Sequence, residues 1–243
     1  MSTFSHAITF IGHNGHLLEQ KTLDQLALSG EAVLIALLIG LPLGLGLGHL
    51  HRGSFAAINI SNVGRALPSL AILAIGLKPF GVGSTDVVIA LVVLAVPPLI
   101  TNAYLAVDQV DRDVVGAARG IGMSPWQVFT RVELPLATGL LFAGIRTAVL
   151  FVISTATLAG FFGGGGLGDI IANQASYRIE GVIGAAVCVI VLALLIDAAF
   201  ALLQRKMTPR GVRIEGRLPA GMPERAETLA PRAGAASAPA QGA

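Results

Sequence analysis

Long apolar runs organise this chain, rather than a regular alternation of polar and apolar positions. Crossing a bilayer as a helix takes ~20 mostly apolar residues. Five stretches meet that length: near Leu23 to Gly48, near Phe55 to Leu77, roughly Asp86 to Val107, about Pro135 to Leu158, and about Gly181 to Leu203. They predict an all-α fold, a polytopic membrane bundle of about five transmembrane helices spread over residues 23–207. Residues 1–22 hold no long apolar stretch, are not a cleavable signal peptide, and read as a polar N-terminal segment outside the membrane. His6, His13 and His16 have a spacing that suits a metal, but no other ligand type clusters with them, so a loose polar end is the reading. From Leu218 to Ala243 the chain is mostly Ala, Pro, Gly and scattered charge, which cannot build a core. Residues 208–243 are therefore expected to form a disordered tail.

Charge in the connections orients the bundle. One side collects Arg52, Arg112, Arg119, Arg131, Arg205, Lys206, Arg210 and Arg213, and the other collects Lys21, Lys78 and Arg178. The excess places the first group in the cytoplasm, with the N-terminus outside and the C-terminus inside. Pro42, Pro68 and the pair Pro97-Pro98 interrupt three of the spans. Each proline removes a donor and frees a carbonyl that lipid cannot satisfy. Such breaks suit a bundle that moves or lines a solute path, and they also suit simple kinking for packing.

Composition supports a membrane setting. Hydrophobic residues make up 54% and charged residues 12%, against roughly 25% charged in an average soluble domain. The 30 glycines fit close approach between membrane helices. Cys188 is the one cysteine and lies in an apolar run, so an intrachain disulfide is excluded. A net charge of +2 gives no support to nucleic-acid binding.

The informative connection is the long one between the third and fourth spans, from Asp108 to Pro135. Asp113 to Ile121 has helix-forming composition and Gly122 breaks it. Ser124-Pro125 reads as an N-cap followed by proline at the first helical position. A second short helix then carries Trp126, Phe129 and Val132 on or near one face, until Leu134-Pro135 ends it and turns the chain back into the membrane. An apolar face uncovered by its own loop points to a partner protein.

This segment resembles the coupling loop of permeases of the ATP-binding-cassette importers. That motif is Glu-Ala-Ala, three residues, Gly, nine residues, an aliphatic, one residue, then Leu-Pro. Ala117, Ala118, Gly122, Val132, Leu134 and Pro135 stand at those spacings, while Gly116 replaces the usual Glu. Leu67 to Ala71, Pro97 to Tyr104, Ala143 to Ala148 and Gly163 to Gly168 are similar to the osmoprotectant, or quaternary-amine, branch. The resemblance implies a methionine-permease-like core in the bacterial cytoplasmic (inner) membrane. It implies a cytoplasmic ATPase dimer that binds ATP and Mg, a second permease subunit, identical or paralogous, and an extracytoplasmic solute-binding protein. Uptake of glycine betaine, choline, carnitine or a similar solute would follow, with another small solute such as an amino acid as the alternative. No cofactor would be bound by this chain. No Gly-x-x-x-x-Gly-Lys-Ser/Thr loop is present. The run Gly163 to Gly168 lacks the lysine and reads as a tight turn or re-entrant bend.

Ionisable groups inside spans are costly and face the bundle interior. Arg146 lies eleven residues after Pro135, and Asp197 lies eight before Arg205. At 1.5 Å per residue both sit ~12–16 Å from the inner surface, which predicts an Arg146–Asp197 ion pair, with snorkelling of each as the alternative. Arg65 lies three residues before Pro68 and either lines the path or bonds freed carbonyls. Pro68, Ser69, Asn102, Ser154, Thr155 and Thr157 are candidate path groups, or bond to backbone. All five histidines fall at or before His51, outside the expected bundle, so an intramembrane enzyme or metal site gains no support.

Overall fold

The computed structural model describes residues 3–50, 59, 68–80 and 83–207. Every described regular segment is helical. Helix α1 (Thr3–His13) leads into α2 (Gly15–His49), α3 (Ser69–Phe80) and α4 (Ser84–Asp108). Two short helices follow, α5 (Arg112–Gly120) and α6 (Pro125–Val128). A π-helical turn, Phe129–Glu133, then joins α6 to α7 (Leu134–Leu158). A 3-10 turn (Ala159–Phe162), α8 (Leu167–Ala172) and α9 (Gln174–Met207) complete the described chain.

Among the described residues, four helices are long and apolar enough to cross a membrane: Gly15–His49, Ser84–Asp108, the continuous run Pro125–Phe162, and Gln174–Met207. Most of the expected second span lies outside the described residues; its described part is the 12-residue α3. Arg65 and the expected tail, 208–243, also lie outside them.

Three expectations are corrected. The polar N-terminal segment is not loose: α1 is helical, and α2 begins at Gly15, ahead of the apolar run. Phe10 and Ile11 of α1 pack with Leu18, Leu167 and Ala185, which gives the segment an apolar reason to order. Pro42, Pro97 and Pro98 do not interrupt helices either. α2 runs through Pro42 and α4 through Pro97 and Pro98. Pro68 stands just ahead of α3, where its carbonyl accepts from Ala71 and Ile72 N–H at 2.9 and 3.1 Å, and the part of the second span before it lies outside the described residues. Finally, Leu134-Pro135 does not end the second short helix. The π-turn widens the coil just before Pro135, and Leu134 N–H reaches back to Phe129 O. A wider turn moves the preceding carbonyls away from the proline ring, so the rod continues into the bundle.

Helix α4 is the centre of the bundle, with Leu91, Ala95, Ala103 and Val107 fully buried. Against it α2 sets a stripe of small residues at every fourth position: Ala32, Ala36, Gly40, Gly44 and Gly48, all buried. A Cβ on Gly44 would stand 2.5 Å from Ile100 O, and one on Gly48 2.9 Å from Tyr104 O. The two backbones therefore touch, which no residue larger than glycine allows there. On the far side α7 packs against α4, and α9 packs against α7 through Val149, Ile153 and Leu192. Leu194, Leu195 and Leu202 of α9 remain exposed, as expected of a helix facing lipid or another subunit.

Candidate functional site

The 108–135 element is built from local signals. Asp111 caps α5 by accepting from Asp113 N–H at 2.8 Å. The helix is amphipathic: Val115 and Ala118 are buried, while Gly116, Ala117 and Arg119 are exposed. Gly122, at φ +87°, closes it. Met123 N–H bonds to Ala118 O and Gly122 N–H to Arg119 O, the paired bonds of a Schellman ending. Ser124 and Gln127 then form a reciprocal capping box, with Pro125 at the start of α6. Nothing stands within 4 Å of a Cβ built on Gly116. The missing glutamate of the motif thus left an open surface position, not a hole in the core.

The apolar face predicted for Trp126, Phe129 and Val132 is divided. Phe129 and Val132 pack onto the core of the same chain, beside Ala118, Val128 and Ala137. Trp126 alone of the three points outward, at 70% exposure, and is joined by Ile121 at 81% and by Val114. The reason is the helical period: a span of six residues covers too wide an arc once a π-turn is inserted. The exposed apolar residues of the element are Val114, Ile121 and Trp126, and Arg112, Arg119 and Arg131 are exposed as well.

A second tie was missed by sequence reasoning. His49, in the last turn of α2, pairs through Nδ1 with Glu133 Oε2 at 2.6 Å. The Glu133 side chain is fully buried, and the His49 ring lies 5.2 Å from that of Phe129. A carboxylate sealed in apolar surroundings requires such a partner. The pair fastens α2 to the root of α7. The expectation that every histidine lies outside the bundle is corrected here, since α2 extends to His49. The sequence signal was a carboxylate immediately before Leu134-Pro135, where the apolar run of the fourth span begins.

Within the spans, Arg146 and Asp197 meet in a bidentate pair. Arg146 Nε donates to Asp197 Oδ1 and Nη2 donates to Oδ2, both at 2.5 Å. Gln204 Nε2 adds a bond to Gly139 O at 2.9 Å, so α9 is fastened to α7 at two levels. Asn102 Nδ2 reaches Gly144 O at 3.4 Å and lines a cavity of about 210 Å³ with Gln109 and Thr147. Ser154 is exposed on the outer stripe of α7, whereas Thr155 is buried. Thr157 accepts from Gln25 Nε2 at 3.2 Å. Pro68 is exposed and Ser69 half-buried at the start of α3. Among the described residues, Asn102 lines that cavity, while Ser154, Thr155 and Thr157 stand elsewhere on α7. An exposed stripe of α7 runs through Leu136, Leu140, Thr147, Phe151 and Ser154.

At the opposite end from α5 and α6, Gly163, Gly165 and Gly166 take positive φ in the turn before α8. That turn is pressed onto the bundle: a Cβ on Gly168 would collide with Thr157 O, and one on Gly166 with Gln25 Oε1. Lys21 Nζ closes over it on Asp169 Oδ2 at 2.6 Å. Among the described residues no three His, Cys, Asp or Glu side chains are grouped to hold a metal ion.

Residues 36–209 match the family described as the binding-protein-dependent transport system inner membrane component. The chain is 40% identical over 207 residues to the glycine betaine/carnitine/choline transport system permease protein OpuCB of Bacillus subtilis (strain 168), covering 85% of this chain and 95% of that one. It is 40% identical over 209 residues to the choline transport system permease protein OpuBB of the same organism, covering 86% and 96%. The fold is similar to that of the MetNI methionine ABC transporter in its inward-facing conformation, with a TM-score of 0.71, 24% identity, and coverage of 79% of this chain and 97% of that chain.

Proposed function

Since this chain belongs to the family of inner membrane components of binding-protein-dependent transport systems, we propose that it is the permease subunit of an ATP-driven importer for osmoprotectants of the glycine betaine, choline or carnitine type. The observation that carries the reading is the 40% identity, across nearly the whole spanning region, to permeases named for those solutes. The chain is a multi-pass membrane protein and a transport component rather than an enzyme.

Its partners follow from the surfaces left open. The Val114, Ile121 and Trp126 patch is the seat of a cytoplasmic ATPase, which carries the ATP and magnesium; aromatic anchors dominate contacts of this size. A second permease subunit covers the exposed stripe of α7, and the solute passes between the two near Asn102, Thr147 and Ser154. Arg65, Pro68 and Ser69 belong to the same path. An extracytoplasmic binding protein docks at the end that carries Gly163 to Glu180. The lysine and arginine excess supports a cytoplasmic side at α5 and α6, with the N-terminus outside.

The mechanism is alternating access. Closure of the ATPases displaces α5 and α6. Because α6, the π-turn and α7 form one continuous rod, and His49–Glu133 ties α2 to its base, the displacement tilts α7 and α2 together. The test is uptake of radiolabelled glycine betaine into cells or vesicles holding the full assembly, competed with choline, carnitine, proline, methionine and histidine. Competition by quaternary amines alone is expected. Competition by the amino acids alone would replace the osmoprotectant reading with the amino-acid one.

A further inference from the structure

At the end away from α5 and α6, a cleft of about 620 Å³ opens between α1 and the start of α9. That volume is in the range of small-molecule sites, ~300–1,000 Å³. The transport reading places the binding protein at this end but assigns no solute contact to the cleft itself. Its walls combine two aromatic rings, Phe10 and Tyr177, with a cation and an anion, Arg178 and Glu180. The rings are held in place by glycine gaps on α9. A Cβ on Gly181 would stand 2.8 Å from Tyr177 Cβ and 3.1 Å from the Phe10 ring, and one on Gly184 3.2 Å from that ring.

Two features mark this cleft. Arg178 has φ 57° and ψ 178°, and it is the one non-glycine residue with positive φ among the described residues. That region of backbone space is nearly restricted to glycine, and strain of this kind collects at ligand clamps. Its side chain is 82% exposed. Glu180, by contrast, is mostly buried, and its Oε2 has no hydrogen-bond partner although Arg178 Nε stands 3.5 Å away. The pair is thus too long for a good hydrogen bond and leaves a buried acceptor unmet.

We propose that this cleft binds a zwitterionic quaternary amine, the cationic head lying between Phe10, Tyr177 and Glu180 and the carboxylate on Arg178; the ligand class rests on the osmoprotectant reading. Aromatic faces beside a carboxylate suit a quaternary ammonium, which cannot donate hydrogen bonds of its own. A zwitterion inserted between Arg178 and Glu180 replaces each charge's partner with another of the same sign. Choline supplies only the cation and leaves Arg178 without one. The site lies at the mouth of the bundle and would hold solute before it enters the path.

The test is equilibrium binding of radiolabelled glycine betaine and of radiolabelled choline to the permease–ATPase assembly in nanodiscs, without the binding protein. Saturable binding is expected, with choline weaker by about tenfold, the scale of one lost charge-assisted contact. Arg178→Gly places the residue that this backbone favours, so the fold is kept. It should weaken glycine betaine about tenfold and leave choline unchanged, while Glu180→Gln should weaken both. Absence of saturable binding, choline binding as tight as glycine betaine, or variants that bind like the wild type would each overturn the site. Uptake by the wild-type full assembly is measured in parallel. Normal glycine betaine uptake without binding to the cleft removes this site alone, whereas failure of every quaternary amine in uptake removes the substrate reading.

Discussion

Gly122, in the turn between α5 and α6, stands in open space at φ +87°, with nothing within 4 Å of a Cβ built on it. Gly168, at the opposite end of the bundle, is helical, and a Cβ there would run into the Thr157 carbonyl. The first glycine is required by conformation and the second by space. The difference follows how each end is built. The α5–α6 end is a surface structure, held by caps and turns, with Ile121 and Trp126 exposed. The other end is packed backbone on backbone, with Lys21–Asp169 across it, and closes the bundle there.

The comparison is broken most decisively at Gly168. Gly168→Ala is expected to destabilise by about 3 kcal/mol, the upper end for overpacking against an unyielding backbone. The measurement is thermal unfolding of the purified protein, and an unchanged midpoint would mean that the outer turn has slack. Next comes Trp126→Ala at the coupling end. It should leave stability unchanged and weaken ATPase association by about thirtyfold, the scale of a ~2 kcal/mol anchor. Phe129→Ala should do the reverse, lowering the unfolding midpoint because that ring is packed inside; a weakened association at normal stability would reunite the two aromatics on one face.

Between the ends, Asp197→Asn leaves Arg146 without its carboxylate and should lower membrane abundance severalfold. The double change Arg146→Met with Asp197→Leu should recover most of it by immunoblot, since two apolar groups need no partner. Gly122→Ala is milder, costing about 1 kcal/mol of left-handed strain. The protein should remain in the membrane while uptake falls out of proportion to the stability loss, and a bulkier residue there should abolish uptake. The smallest effect is expected for Gly116→Ala, a gain of about 0.5 kcal/mol in helix stability with uptake unchanged.

The first, third, fourth and fifth spans, the helix–turn–helix with its Ser124 cap and Gly122 break, and the common level of Arg146 and Asp197 were legible in the sequence. Each depends on residues close together in the chain: apolar run length, turn chemistry, and a fixed rise per residue. Depth does not fix which way a side chain points around its helix, and there the tertiary structure decided. It brought Arg146 onto Asp197, turned Phe129 and Val132 inward while leaving Trp126 out, and set the small residues of α2 against the α4 backbone. It also carried α2 far enough to place His49 on Glu133, and it ordered α1 by giving Phe10 and Ile11 a surface on α9 and α8. In each case the deciding quantity is what occupies the space beside a residue, and that neighbour comes from a distant part of the chain.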